Sequence, residues 1–432
     1  MALHKLVVIS LDSMGFRDLN ELREFVPHLD QLIKRGTWVK RVKGIFPTLT
    51  YPSHTSIITG QYPAIHGIVN NTKLQPRRKS PDWYWYRKDI KVMPLYDVAH
   101  QSGLTTAAFL WPVTAGSKID YNLAEIFPNR IWTNQVLVSL KASSPLFLYK
   151  MNHRYGKLRR GIKQPWLDDF VTACAVDTIK NKRPDLTLIH LVDMDSMRHR
   201  NGVRSPQAKA ALQRLDSRVA KIIQASRDAG TYSDTDFVIL GDHYQINVEK
   251  MIHLNVVFAE HGLLTPIKGK TTYKDNWQVT AKTCDGETYV YAKDYVNLSK
   301  LKQLIAGVEG VERIYDGAEA VKLGADPRCA FLVEAKPGYY FTDEVNRPAV
   351  VEKVDPNSLG THDRYRAVHG YGPNQPNYFT TAIFAGPSIN QGKTVETAHL
   401  VDEGPTFAKI LGLHYPAPTA GRVIPGVIKK WG

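Results

Sequence analysis

The sequence predicts an α/β fold: a largely parallel central sheet flanked by helices, with a smaller α+β unit inserted in it. Three observations predict it. Three short apolar runs each stop at a carboxylate: LVVISL before Asp12, LTLIHLV before Asp193 and Asp195, and FVILG before Asp242. Continuous β-branched runs of this length suit strands buried on both faces. Helical patterns lie between them, and strands alternating with helices define an α/β core. Carboxylates ending three separate strands then fall along one sheet edge, where open α/β folds place their sites.

Each element follows in order. MALHKLVVISLD begins a strand almost at once and is too short and too soon charged to read as a signal peptide. FPTLTYPSHTSIITG, residues 46–60, crowds turn-formers ahead of an apolar run closed by Gly60, which predicts a helix starting near Pro52-Ser53. Ser205-Pro206 supplies an N-cap and first-turn pair for a helix carrying Leu212, Leu215, Val219, Ile222 and Ile223 up to Gly230. After Asp242-His243 the rhythm changes: TYVYAKDYV, LSKLKQLIAGV, ERIYDGAEAVKLG and AFLVEAKPGYYF read as a small β/α unit. Core-like sequence resumes with TTAIFAGPSI and a helical tail read from Thr397 to Leu413. The expected organisation is a catalytic core of residues 1–250, an inserted cap of 251–360, and completion of the core by 361–432.

Composition sets the class. The chain has 432 residues, a 43% hydrophobic share and a 22% charged share, ordinary for a water-soluble globular protein. No run approaches the roughly 18 to 20 apolar residues of a membrane span, so no membrane partner is expected. Cys174, Cys284 and Cys329 match no metal or redox spacing and read as reduced thiols, which places the protein in the cytoplasm. The net charge of +15 concentrates in RRK (77–79), RKDIK (87–91) and KLRRGIK (157–163). Such patches attract nucleic acid, anionic lipid or phosphorylated metabolites. No dedicated nucleic-acid-binding motif accompanies them, and oligomeric state is not legible. Trp83, Trp85 and Trp111 read as core or cap packing, with stacking on a base as the alternative.

Six side chains are candidate metal ligands: Asp12, Asp195, His199, Asp242, His243 and His369. Asp195 and His199 are one helical turn apart and aim at one point. Asp242 and His243 are adjacent, so an extended chain would point them to opposite sides, each toward a different metal. His369 sits in VHGYGP, a turn fixed by Gly370, Gly372 and Pro373. Any one of these Asp residues reads as a turn former; their joint occurrence reads as a site. Three Asp and three His form a mixed oxygen and nitrogen set suited to zinc, manganese or iron, unlike a calcium cage. A hydroxyl beside two such cations becomes a nucleophile toward phosphorus. On chemistry alone Thr48, Thr50 and Ser53 all qualify, and a helix cap is the plain alternative for Thr50 or Ser53.

VVISLDSMGFRDL followed by PTLTYPSHTSIITGQYPAIHGIVNN, then DSMRH, GDH and HGY in that order, resembles the alkaline phosphatase superfamily. Within it the chain is similar to the nucleotide pyrophosphatase/phosphodiesterase (type I phosphodiesterase) family, from Asp12 to about Ile389. The resemblance implies an alkaline-phosphatase-like core and two divalent metal ions. Asp12, Thr50, Asp242 and His243 would hold one; Asp195, His199 and His369 would hold the other. Thr50 takes the nucleophile position. Asn71 takes that of the side chain binding the transferred phosphoryl oxygen, aided by the backbone near Tyr51. Tyr51 stands where an aromatic packs on the substrate. Three positions depart from the family pattern: Ser53 where Asn is usual, Val192-Asp193-Met194 where Glu-Glu-Pro is usual, and Tyr244-Gln245 where Gly-Met is usual. The C/S-x-P-x-R context of sulfatases is absent.

The expected function is therefore two-metal hydrolysis of a phosphodiester or pyrophosphate bond in a small anionic substrate, through a phospho-threonine. A phosphonate hydrolase or phosphomonoesterase with the same metals is the nearest rival. A non-catalytic polyanion-binding protein is the rival of another class.

Overall fold

The computed structural model describes residues 4–127, 129–130, 134–361 and 363–430. Six strands come first in chain order: β1 (Lys5–Leu11), β2 (Thr37–Lys43), β3 (Thr106–Phe109), β4 (Tyr121–Leu123), β5 (Leu186–Leu191) and β6 (Thr235–Leu240). With Thr380–Ala385 and Lys393–His399 they form one eight-stranded sheet, ordered Lys393–His399, β2, Thr380–Ala385, β6, β1, β5, β3, β4. Thr380–Ala385 runs antiparallel to β2 and β6; every other pair is parallel.

The unbroken apolar runs have a direct cause. Val7, Ile9 and Leu11 of β1 pack into one core while Leu6 and Val8 pack into another on the opposite face. β6 divides the same way, with Phe237 and Ile239 on one face and Val238 and Leu240 on the other. Helices Pro27–Arg35, Trp166–Lys182 and Pro206–Asp228 cover the first face. Thr50–Thr59, Leu95–Gln101 and Glu403–Ile410 cover the second. The Ser205 hydroxyl caps its helix by accepting the Ala208 N–H at 3.1 Å, with Pro206 in the first turn.

Residues 279–335 form a second, four-stranded antiparallel sheet, ordered Val311–Asp316, Phe331–Ala335, Glu287–Ala292, Val279–Cys284. The tail departs from the expected helix. Lys393–His399 is a strand pairing with β2, and the α-helix spans only Glu403–Ile410. The Asp402 carboxylate accepts the His399 N–H at 2.9 Å and turns the chain between them.

The loop at Gly370 is one of the joints between the second sheet and the rest of the fold. The Gly370 N–H meets both the carbonyl and the hydroxyl of Thr48 at 3.1 Å, while the Gly286 N–H donates to the His369 carbonyl at 3.0 Å. Gly370 has φ +81, and a Cβ there would lie 1.6 Å from the Cys284 carbonyl oxygen. Gly370→Ala therefore meets both backbone strain and a backbone clash. We expect it to lower stability by at least about 2 kcal/mol in denaturant unfolding; an unchanged midpoint would refute this account of the joint.

Candidate active site

β6, β1 and β5 are neighbours and parallel, with Leu11 paired to Leu191 and Ser10 to Leu240. Their carboxyl ends therefore deliver Asp12, Asp242-His243 and the helix Asp193–Asn201 to one edge. There the six candidate ligands fall into two groups. Asp12, Asp242 and His243 form one, and Asp195, His199 and His369 the other, the ligand atoms within each lying within 4.8 Å of one another. The groups adjoin: the His243 and His369 rings are 4.2 Å apart by centroid.

The extended-chain reading of Asp242-His243 is corrected. Both residues lie in the same group, because β6 ends at Leu240 and the backbone bends at Asp242 instead of continuing the pleat. The His243 Nε2 stands 3.3 Å from Asp12 Oδ1 and 3.2 Å from Asp242 Oδ2. Asp195 and His199 share one face of their helix, 3.4 Å apart. The His199 Nδ1 is hydrogen-bonded to the Ala367 carbonyl at 2.8 Å, which turns Nε2 toward the group.

Thr50 is the first residue of helix Thr50–Thr59, with Leu49 at the N-cap, so the helix starts earlier than expected and Thr50 is no cap. Pro52 carries no N–H and suits the first turn, and Gly60 closes the helix at φ +64. The Thr50 hydroxyl lies 3.1 Å from His243 Nε2. Thr48 is engaged elsewhere, donating to the Tyr371 carbonyl at 2.7 Å. Ser53 lies a turn further along the helix and does not line the cavity. The Tyr51 N–H donates to Asn71 Oδ1 at 2.9 Å. That backbone donor is thus spent, contrary to expectation, and its effect is to fix the Asn71 amide.

The electrostatics call for a cation. Asp12 is 2% exposed and Asp242 is 0% exposed, and among the described residues their ion-pair partners are all histidines. Burial and the charge of Asp195 raise Asp12 well above the usual carboxylate range; burial and Asp12 do the same to Asp242. One oxygen of each, Asp12 Oδ1 and Asp242 Oδ2, has no hydrogen-bond partner. Buried, adjacent, half-satisfied carboxylates are what a divalent cation offsets. In the second group burial opposes both charges, but the mutual attraction of Asp195 and His199 wins. It lifts His199 to about 9 and holds Asp195 below its ordinary value. Burial and the charge of His199 lower His369 to about 3.

A cavity of about 570 Å³ opens over both groups. Thr50, Tyr51, Asn71, Trp83, Phe127, Lys282 and Arg364 are among its lining residues. The Tyr51 and Trp83 rings are 5.2 Å apart, and Phe127 meets Trp83 edge-on at 5.4 Å. Trp85 and Trp111 are buried, so of the three tryptophans only Trp83 faces the cavity.

Known proteins resemble this chain in sequence and in fold. The sequence profile described as type I phosphodiesterase / nucleotide pyrophosphatase matches residues 6–372. The chain belongs to that family. It is 27% identical over 264 residues to ectonucleotide pyrophosphatase/phosphodiesterase family member 1 of Homo sapiens, covering 58% of this chain and 24% of that one. The chain thus spans about a quarter of that relative. It is 23% identical to a bis(5'-adenosyl)-triphosphatase of Pongo abelii, covering 96% of this chain and 80% of that one. Murine ectonucleotide pyrophosphatase/phosphodiesterase 5, solved as an inactive form in complex with AMP, superposes with a TM-score of 0.68 at 17% identity. That match covers 97% of each chain and extends the family likeness to the fold.

Sequence reasoning missed several residues at this site. His190, within the apolar run of β5, bonds Asp12 Oδ2 at 3.0 Å. His54 bridges Ser10 Oγ at 2.9 Å and the Thr50 carbonyl at 2.8 Å. Gln245 donates to Asp195 Oδ1 at 2.5 Å. The Asp168 carboxylate accepts the N–H groups of Val192 and Asp193, at 3.1 and 3.0 Å, and sets the start of the Asp195 helix.

Glu125 also lines the cavity, beside Tyr51 and His190. Burial lifts its carboxyl to about 7 against the pull of His190 and Tyr51. A raised carboxyl stabilises the fold fully below its ordinary value, near 4.5, and loses that contribution as pH rises through about 7. In the metal-free protein, Glu125→Gln should remove a fall of roughly 3 kcal/mol between those limits. Denaturant titrations at several pH values check this; parallel curves for the two proteins would disprove it.

Proposed function

We propose that the protein hydrolyses phosphodiester or pyrophosphate bonds of nucleotides, with Thr50 as nucleophile and a phospho-threonine intermediate. One observation carries the reading. The Thr50 hydroxyl, alone among the three candidates, sits against a ligand group, 3.1 Å from His243 Nε2 at the floor of the cavity. The inactive relative bound to AMP carries alanine in place of a threonine, and another relative is named for a dinucleoside triphosphate. Both support a nucleotide substrate.

Asp12, Thr50, Asp242 and His243 would hold one divalent ion, and Asp195, His199 and His369 the other. The three-Asp, three-His set suits zinc, with manganese or iron fitting the same donors. When bound, the two ions supply Lewis-acid activation of the hydroxyl and neutralise charge on the phosphoryl oxygens. Thr50 Oγ1 attacks phosphorus in line, and the P–O bond to the leaving group breaks on the far side. Asn71, its Oδ1 occupied by the Tyr51 N–H, presents its amide Nδ2 to a non-bridging oxygen. The Thr50 N–H has no acceptor within the helix and meets the same charge, reinforced by the helix N-terminus. Water then cleaves the phospho-threonine ester and restores the hydroxyl. Tyr51, Trp83 and Phe127 form a slot for a base, and Lys282 and Arg364 attract its phosphates.

The core of 1–250 and 361–432 would thus supply the chemistry, and the cap of 251–360 part of the pocket wall. Three buried, unpaired cysteines support a cytoplasmic setting.

A substrate panel tests the reading: a nucleotide diester, a dinucleoside polyphosphate, a monoester and a phosphonate. We expect the first two to be preferred. Thr50→Ala should abolish turnover of p-nitrophenyl diesters with fold and metal content kept, and full activity in that variant removes the nucleophile assignment. EDTA should inactivate the protein and zinc or manganese restore it. Indifference to chelation, with no metal by elemental analysis, removes the two-metal reading.

A further inference from the structure

The basic stretch KLRRGIK, which the proposed chemistry does not use, belongs to a larger surface. Between Glu125 and Asp168 the sequence contains no carboxylate and eight Lys or Arg residues. The described part of this segment is two helices, Gln135–Ala142 and Pro145–Tyr155, a 3-10 turn, Gly156–Leu158, and the loop after it.

Helix Pro145–Tyr155 is two-faced. Phe147 and Met151 are buried, and Leu148 and Tyr155 pack on the core. The opposite face carries Leu146, Tyr149, Lys150 and His153, with Leu146 78% and Tyr149 67% exposed. Elsewhere in the segment Val136, Leu137, Leu158 and Ile162 are exposed as well. Six of the twelve exposed large apolar side chains among the described residues thus lie in this one segment. Lysines are interspersed, with Lys150, Lys157 and Lys163 all exposed. From the neighbouring helix Trp166–Lys182, Asp177 pairs with Arg154. Arg160 stacks over Trp166, and Arg159 lies over Phe170.

A surface with this many solvent-facing aliphatics marks a contact site. Aliphatic side chains set among cations, in a segment that has no carboxylate of its own, complement lipid phosphates above an apolar layer. Nucleic acid fits less well, because five of the six exposed apolar side chains are Leu, Ile or Val, and of the six only Tyr149 offers a base a ring to stack on. We propose that the face formed by residues 135–163 docks the protein on an anionic lipid surface. Leu146, Tyr149 and Ile162 enter the headgroup region, and Lys150, Lys157 and Lys163 meet lipid phosphates. No helix among the described residues is long and apolar enough to cross a bilayer. The contact is with one leaflet's surface, and it revises the expectation of no membrane partner.

Cosedimentation of the full chain tests this. Vesicles of phosphatidylcholine are compared with vesicles of equal parts phosphatidylcholine and phosphatidylglycerol, beside single-stranded RNA in a parallel titration. The protein should sediment with the anionic vesicles only, and less so as salt is raised. Lys150→Gln, Lys157→Gln and Lys163→Gln combined should weaken partitioning about a hundredfold. Leu146→Ser with Ile162→Ser, at unchanged charge, should weaken it about tenfold. All these residues are exposed, so each variant should keep the parent's circular dichroism and diester turnover. No binding to anionic vesicles overturns the proposal. So does full binding by the aliphatic variant, or tighter binding to RNA than to vesicles, since either marks a general polyanion site.

Discussion

Two carboxylates, Asp12 and Asp242, are held out of water at the ends of adjacent strands, with no Lys or Arg among the described residues paired to either. Isolated buried charge of this kind is costly, and much of the surrounding structure is arranged around that cost. His190, His243 and His54 crowd the pair, and Ser13 N–H donates to Asp242 Oδ1 at 3.1 Å. The strands that lead to the two Asp are buried on both faces, and both carboxylates stay buried just past the strand ends. The fold accepts the desolvation because the site gains a fixed, cation-hungry centre.

The rest of the site is positioned by bonds that leave its working atoms open. His199 gives Nδ1 to a carbonyl and keeps Nε2. Asn71 gives Oδ1 to the Tyr51 N–H and keeps its amide nitrogen. Thr48 uses its hydroxyl to hold the Gly370 loop, which brings His369 down from the second-sheet side. The two threonines of PTLTYP, identical in chemistry, are separated by register alone: Thr48 ties loops together, and Thr50 opens a helix over the metal groups.

This division explains what the sequence could and could not reveal. Strands buried on both faces leave continuous apolar runs, so β1, β5, β6 and the carboxylates closing them were legible. DxxxH was legible because helical spacing alone converges the two side chains. Asp242-His243 was misread because a bend after β6, invisible to periodicity, overrides the strand pleat. The tail was misread because Lys393–His399 is an edge strand, largely exposed, that lacks an apolar run. His190 was hidden as one polar residue in an apolar strand, and Glu125 follows a three-residue strand with no pattern to flag it. His190 has no signal until the sheet order sets β5 beside β1, and Glu125 none until β3 and β4 are set beside β5.

The departures from the family pattern also acquire a physical meaning. Ser53, Tyr244 and Gln245 do not line the cavity; of the departing positions only Val192 does. Gln245 instead binds Asp195 Oδ1, and the Arg198 guanidinium lies over the Tyr244 ring and reaches Asp18 at 2.5 Å. These changes act on the support of the Asp195 helix, fixing where one ligand group sits. The pocket wall itself comes from elsewhere: Trp83 and Lys79 on the loop after Asn71, and Lys282, Asp343 and Arg364 from the inserted region and its return. Within this fold the metal frame and the substrate wall are therefore built by different stretches of chain. Under the proposed chemistry, substitutions behind the ligands would tune how the two groups are held, and selectivity among phosphorus esters would be set by the residues facing them.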